Sequence, residues 1–282
     1  MQILLERFSD WKVDDMTKCQ SHRLFFTPTP TNLAMVAKLR ELDRFKEKVE
    51  FIELPKDRTK RLRMLEQIEG RAAFIWGDGT NHQESYFFTQ RQTGISLKAN
   101  IDAHQDHNKI EADWMIDHDM ELNCGIHMTR TENDGIEIIL RPIATYEGFL
   151  TEIEKRVGSY RKGSISITVD CDVFPLFPAC HSWVSDSGIE TELIVDLIRK
   201  ISPHIARFDI GGIVEGIAKF TLVAKHEIGT PTLEEVKLVS RYQFSSENQD
   251  WRFVAKETFD RVCSRAFWIY ADVLGAFFGL ND

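Results

Sequence analysis

Asp102, His104 and Asp106 fall within the run Asn100-Ile101-Asp102-Ala103-His104-Gln105-Asp106, where an apolar stretch ends in two carboxylates and an imidazole. Crowding these groups together costs energy unless a cation is present, so hard-metal coordination is the chemistry they suit. If residues 96–102 form a strand, Asp102 and His104 point to one side of it and Asp106 follows from the loop. A second cluster has the same form: the run Ser164-Ile165-Ser166-Ile167-Thr168-Val169 leads directly into Asp170-Cys171-Asp172. In a parallel sheet covered by helices, ligand sites form at the carboxyl ends of strands, so the two clusters are expected to face one another across neighbouring strands. Their four Asp side chains carry a formal charge that two divalent ions would cancel.

An oxygen-rich donor set with a minority of imidazole suits Mn2+, with Zn2+, Ni2+ and Fe2+ as alternatives. Two such ions about 3.5–4 Å apart lower the pKa of a bridging water and generate hydroxide near neutral pH. A further ligand candidate follows Phe74-Ile75-Trp76, where Gly77-Asp78-Gly79-Thr80-Asn81-His82 reads as a tight turn ending in an imidazole. His82 completes a set of two His and four Asp. Read separately, the same residues are strand-end caps and surface acids that need no metal.

The elements that must position these groups alternate between short β-rich runs and helical periods, the pattern of βαβ units in a mainly parallel sheet. Strands are expected at Ala72 to Trp76, Leu97 to Asp102, Ile136 to Leu140, Ile165 to Asp170 and Phe208 to Val214, the last weakened by Gly211 and Gly212. Leu193, Ile194, Leu197, Ile198 and Ile201 share one face of a helix beginning near Ser187. Phe149, Leu150, Ile153 and Val157 form the stripe of a crossover helix. Other helices are expected after Pro30, with Leu33, Val36 and Leu39 inward, and from Pro231, with Leu233 and Val236 inward.

The 282 residues suit one α/β domain spanning 1–282, since no Pro/Gly/Ser-rich linker, repeat or low-complexity tract divides them. A net charge of −9, from 44 acidic and 35 basic residues, argues against a nucleic-acid partner and favours small cationic substrates. The block Lys56 to Arg61 reads as a solvated helix face. Five cysteines without CxxC spacing fit a reduced, cytoplasmic setting. Glu6, Arg7 and Asp10 break any apolar segment near the start, so no signal peptide is expected. The apolar run 266–280, interrupted by Asp272, is shorter than the roughly 20 residues that span a bilayer. A buried or intersubunit helix is expected there, with no membrane partner.

The order His82, DAHQD, DCD resembles the ureohydrolase family of arginase, agmatinase and formimidoylglutamase, which carries GGDHS, DAHxD and DxDxxDP motifs in that order. The resemblance covers roughly residues 72–217, with DAHQD its specific part. It implies a three-layer α/β/α fold, two Mn2+ and hydrolysis of a guanidino or formimidoyl C–N bond by metal-bridging hydroxide. Asn123-Cys124-Gly125-Ile126-His127 is similar to that family's loop bearing a proton-shuttling histidine, which makes His127 the general acid/base candidate. Glu215 lies where arginases and agmatinases carry a strand-end glutamate that pairs with the guanidinium, and Asn108 matches a residue contacting the amino-acid end of arginine. The chain departs from the family at GDGTNH, at Pro175 in place of the last Asp of DxDxxDP, and at Gly216-Ile217 after Glu215. Homo-oligomers are common in that family.

Two other readings lead to different chemistry. A mononuclear zinc amidohydrolase, resembling deacetylases of the related fold, would use Asp102, His104 and one later Asp, although their tandem His pair is missing. A non-catalytic metal-binding protein of arginase-like fold would account for the altered motifs, with Phe267, Trp268, Phe277 and Phe278 as a partner surface.

Overall fold

The computed structural model describes residues 22–77, 84, 88, 93–100, 122–127, 138–140, 151, 154–155, 157–178, 189–213, 217, 219–244 and 254–280. At 93–100, 122–127, 138–140, 172 and 241–244 it is the backbone that is described. Within these residues, eight strands form one sheet: β1 (His22–Phe26), β2 (Val49–Glu53), β3 (Ala72–Ile75), β4 (Thr93–Asn100), β5 (Leu122–His127), β6 (Ile138–Leu140), β7 (Ile165–Asp170) and β8 (Ile205–Gly211). Their order is β2-β1-β3-β8-β7-β4-β5-β6, and every neighbouring pair is parallel.

The central strands β3, β7 and β8 are buried along their whole length, as expected for parallel strands covered on both faces. Alternation divides their side chains. Ala73, Ile75, Ile165, Ile167, Val169, Phe208 and Ile210 join the larger core with helices α1 (Pro30–Leu39), α3 (Thr191–Ile201) and α5 (Lys256–Phe278). On the other face Ala72, Phe74 and Trp76 pack with Leu65 of α2 (Arg58–Glu66) and with Phe88. Helices on both faces of a parallel sheet make a three-layer α/β/α fold, as the motif order implied.

Each helix begins where its sequence allows. Thr29 caps α1, its hydroxyl accepting from the Asn32 amide at 3.2 Å with Pro30 in the first turn, and Asp57 caps α2 through the Lys60 amide at 2.8 Å. Helix α4 (Leu233–Phe244) opens with a capping box: Thr232 accepts from the Glu235 amide, and the Glu235 carboxylate accepts from the Thr232 amide at 2.8 Å. Helix α5 ends at Gly279 in the left-handed conformation, with the Leu280 amide donating to Gly275 O at 2.8 Å. The apolar run 266–280 is indeed a buried helix. Its Asp272 pairs with Arg44 at 2.9 Å and Lys225 at 2.7 Å. Among the described residues no helix is long and apolar enough to cross a membrane.

Several boundaries differ from the sequence reading. Strand β4 starts at Thr93, earlier than Leu97, and is described to Asn100; Asp102 lies outside the described residues. Strand β6 is described over Ile138–Leu140, with Ile136 outside the described residues, and β8 runs from Ile205 to Gly211, earlier than the span to Val214. Helix α3 begins at Thr191, and its buried face comprises Ile194, Leu197, Ile198 and Ile201. In α1, Leu33 points to solvent while Asn32, Met35 and Val36 are buried, because the helix turns its 32/35/36/39 stripe to the sheet. In α4 Val236 and Val239 are buried and Leu233 only half so. The crossover stripe is helical at Thr151, Glu154–Lys155 and Val157–Gly158, with Val157 buried; Phe149, Leu150 and Ile153 lie outside the described residues. Strands β1, β2 and β5 have no counterpart in the reading.

At the amino edge, the His22 ring packs on Phe278 with centroids 4.9 Å apart, and burial first, then the nearby Arg71 guanidinium, lowers its pKa. Above about pH 6.5 the imidazole is neutral in both folded and unfolded chains. As pH falls below that value the unfolded chain takes up the proton first, so stability is lost down to the depressed folded pKa. Thermal melts from pH 7 to pH 5 should therefore fall less steeply for His22→Phe than for the parent; parallel curves would contradict this account.

Candidate functional site at the carboxyl edge

Five consecutive strands of the sheet, β3-β8-β7-β4-β5, lead into or end in the segments singled out by their chemistry. Because all are parallel, their carboxyl ends share one edge: Ile75 pairs with Ile210, Asp170 with Gly211, Leu97 with Val169, and Asn100 with His127. Strand β3 precedes GDGTNH, β4 precedes DAHQD, β7 ends in Asp170 and β8 precedes Glu215 in the chain. His127 is the last residue of β5, which corrects the reading of Asn123–His127 as a loop. The main-chain ladders to β4 and β6 hold that segment extended despite its Asn and Gly.

Of the predicted ligands, Asp170 is described in full and is buried on the same sheet face as Thr168. The chain then enters a 3-10 turn over Cys171–Val173 that contains Asp172, closed by the Phe174 amide on Cys171 O and held by the Ile189 amide on Val173 O at 2.9 Å. His82, Asp102, His104, Asp106, Asn108 and Glu215 lie outside the described residues. Among the described residues no three His, Cys, Asp or Glu side chains come together as a metal-holding group. Pro175, at the altered motif position, is buried, and its carbonyl receives the Arg265 guanidinium at 3.5 Å.

The neighbouring segments are anchored from the helices. Thr27 and Ile75 at the ends of β1 and β3 are bridged by Asn32, whose amide donates to Thr27 Oγ1 at 2.7 Å and to Ile75 O at 3.4 Å. Thr31 accepts from the Ile217 amide at 3.0 Å, fixing the chain just after Glu215. Glu84, two residues beyond His82, is buried and receives the Arg61 guanidinium at 2.8 and 2.5 Å. Arg61 thus leaves the solvated face expected for its block, whereas Lys56 to Lys60 are exposed.

Two features of this edge escaped the sequence reading. Asp209, in the middle of β8, is fully buried; its Oδ1 accepts from Trp76 Nε1 at 2.8 Å and its Oδ2 from Thr168 Oγ1 at 3.0 Å. The consecutive glycines at the end of β8 have distinct reasons. The indole of Trp76 lies on Gly211, where a Cβ would come within 1.9–2.3 Å of three ring atoms, and Gly212 has φ +96°, where a Cβ would stand 2.8 Å from Asp170 Oδ1. A Trp running into a Gly-rich turn, paired with a Gly-Gly strand end, was the signal available. A separate cavity of about 390 Å³ between α3 and α5, lined by Arg44, Glu192, Asp196, Lys225 and Asp272 among others, contains none of the motif residues.

No protein-family model matches this chain, and no curated protein matches it. Solved structures do match its fold. A formimidoylglutamase from Bacillus subtilis subsp. subtilis str. 168 superposes with TM-score 0.60 at 10% identity, over 95% of this chain and 89% of that one. A hypothetical agmatinase from Burkholderia thailandensis gives 0.57 at 12%, over 92% and 86%. An agmatine ureohydrolase of Thermoplasma volcanium gives 0.57 at 10%, over 99% of both chains. This chain therefore has the ureohydrolase fold in a highly divergent sequence.

Gly211→Ala drives a methyl into the Trp76 ring and should destabilise by about 1–3 kcal/mol, the usual range for overpacking. Gly158→Ala, where a Cβ meets nothing within 4 Å, should be neutral or slightly stabilising. Urea midpoints decide this; equal behaviour of the two variants would remove the proposed packing of Trp76 on β8.

Proposed function

We propose that this chain is a metal-dependent hydrolase that cleaves a guanidino or formimidoyl C–N bond in a small amine or amino-acid derivative. The observation that carries the reading is the adjacency of β3, β8, β7, β4 and β5, whose carboxyl ends adjoin every segment with the required chemistry. The fold shared with proteins titled formimidoylglutamase, agmatinase and agmatine ureohydrolase supports the same reaction class.

His82, Asp102, His104, Asp106, Asp170 and Asp172 would hold two Mn2+, with Zn2+, Ni2+ or Fe2+ as alternatives. The fit is tested at Asp170, a buried oxygen donor beside which Gly212 leaves out the Cβ that would crowd Oδ1. When bound, the two ions supply a hydroxide nucleophile near neutral pH and stabilise developing negative charge. In this reading Glu215 orients the substrate's planar cation through paired charge-assisted hydrogen bonds, and Asn108 contacts its far end. His127 passes a proton to the departing nitrogen, the function an imidazole serves best near neutrality. The net charge of −9 favours a small cationic substrate over nucleic acid. A cytoplasmic, homo-oligomeric protein without a membrane partner completes the proposal.

Elemental analysis of protein purified with manganese should count two ions per chain, lost in Asp170→Ala, Asp172→Ala. Arginine, agmatine, guanidinobutyrate and formimidoylglutamate should then include a substrate whose turnover His104→Ala abolishes. One zinc with acyl-amine hydrolysis would replace this reading by a deacetylase-like one. Two ions without turnover of any of these amidines would remove the specific reaction and keep the metal site.

A further inference from the structure

Asp209 breaks the local rule of its strand. Its neighbours Phe208 and Ile210 are fully buried apolar residues, Asp is disfavoured in strands, and a buried carboxylate must recover by hydrogen bonding what it loses in water. An apolar side chain of similar size could fill such a position without that cost. What the carboxylate does here is join three strands. Trp76, directly after β3, donates to one oxygen, and Thr168, on β7, donates to the other.

Both partners lead to the candidate site. Thr168 precedes Asp170 by two residues on the same face of β7, in register with Asp209, and Asp170 is in register with Gly211. Trp76 begins the segment through Gly77 to His82, and its indole lies on Gly211. The next residue, Gly212, faces Asp170 Oδ1. The chain of contacts Trp76–Asp209–Thr168 therefore returns to Asp170 by two routes, along β7 and across Gly211–Gly212.

We propose that Asp209 is a positioning residue that, through Trp76 and Thr168, fixes the Asp170 carboxylate relative to the start of the Gly77–His82 segment. Its effect on metal binding rests on the metal-dependent reading above; the mechanical coupling does not. Fully buried, Asp209 acts only through its partners, and the optimum orientation of a ligand carboxylate depends on such supporting bonds.

Metal-free protein labelled with 5-fluorotryptophan gives the test, the Trp76 resonance being the one that Trp76→Phe removes. Asp170→Asn should shift that fluorine resonance in the parent and in Asp209→Asn, which keeps an acceptor for the indole N–H. The shift should shrink in Asp209→Leu, to what passes across Gly211–Gly212, and shrink less in Thr168→Val, the milder change should Asp209→Leu fail to fold. An equal shift in Asp209→Leu, or no shift in the parent, would overturn the proposal, whereas a purely structural Asp209 would alter melting temperature without uncoupling the two sites. Titration with Mn2+ alone should show weaker binding in Asp209→Leu than in the parent, by up to about 10-fold, since Asp209 supports the ligand through intervening residues. Unchanged affinity also overturns the proposal. A parent that binds no Mn2+ removes the metal reading instead, and the fluorine shifts then decide the role of Asp209.

Discussion

Everything at the carboxyl edge depends on the insertion of β8 between β3 and β7. The order β2-β1-β3-β8-β7-β4-β5-β6 makes β8 the link between a three-stranded group from the first part of the chain and a four-stranded group from its middle. Its pairings are long in sequence, since Trp76 and Asp209 are 133 residues apart. Closing such a loop is entropically unfavourable until the paired surface is buried. That surface is supplied by Phe208 and Ile210, and by α5, whose Phe277 stacks on Phe208 with ring centroids 5.1 Å apart. Docking of the last helix therefore supports the strand that joins the two halves of the sheet.

Much of the fold was legible because burial on both faces leaves a simple imprint. The β-branched run before Asp170 and the period of Ile194, Leu197, Ile198 and Ile201 each identify one element with little ambiguity. Two of the missed strands share a cause. Strand β1, His22–Phe26, opens with His and Arg, and β5, Leu122–His127, contains Asn and Gly; neither has the composition of a strand, and both are held by their neighbours. Strand β8 begins before the run that its apolar residues mark, because Arg207 interrupts the pattern. Arg207 nevertheless sits in the sheet, its guanidinium donating to Ile68 O and its pKa pushed down to about 10 by burial and by Arg23, against the opposing pull of Glu69.

The site was legible to a different degree. Clustered carboxylates and imidazoles stand out in sequence because their crowding has to be explained, and this singled out the segments adjoining the ends of β3, β4 and β7. An isolated acid such as Asp209 carries no such mark. Its meaning lies in Trp76 and Thr168, which only the sheet register brings to it. Gly211 and Gly212 likewise read as flaws in a strand, although each answers a close approach by a side chain distant in sequence.

The two faces of the central strands divide the labour of the fold. On one face, Ile165, Ile167, Val169, Phe208 and Ile210 pack against helices, each large apolar side chain contributing about 1.5–3 kcal/mol through burial. On the other, the same strands carry Ser166, Thr168, Asp170, Arg207 and Asp209, all of them buried. Burying so many polar groups stabilises a domain far less than burying apolar ones, and leaves any broken partner costly. The apolar face must therefore support the polar one. Aliphatic residues of similar volume can exchange within the apolar face at small cost, while the polar face responds to the identity of individual side chains. It follows that a change at Phe208 or Ile210 tests the apolar packing, and a change at Asp209, one residue from either, tests the bonds that join β3, β8 and β7.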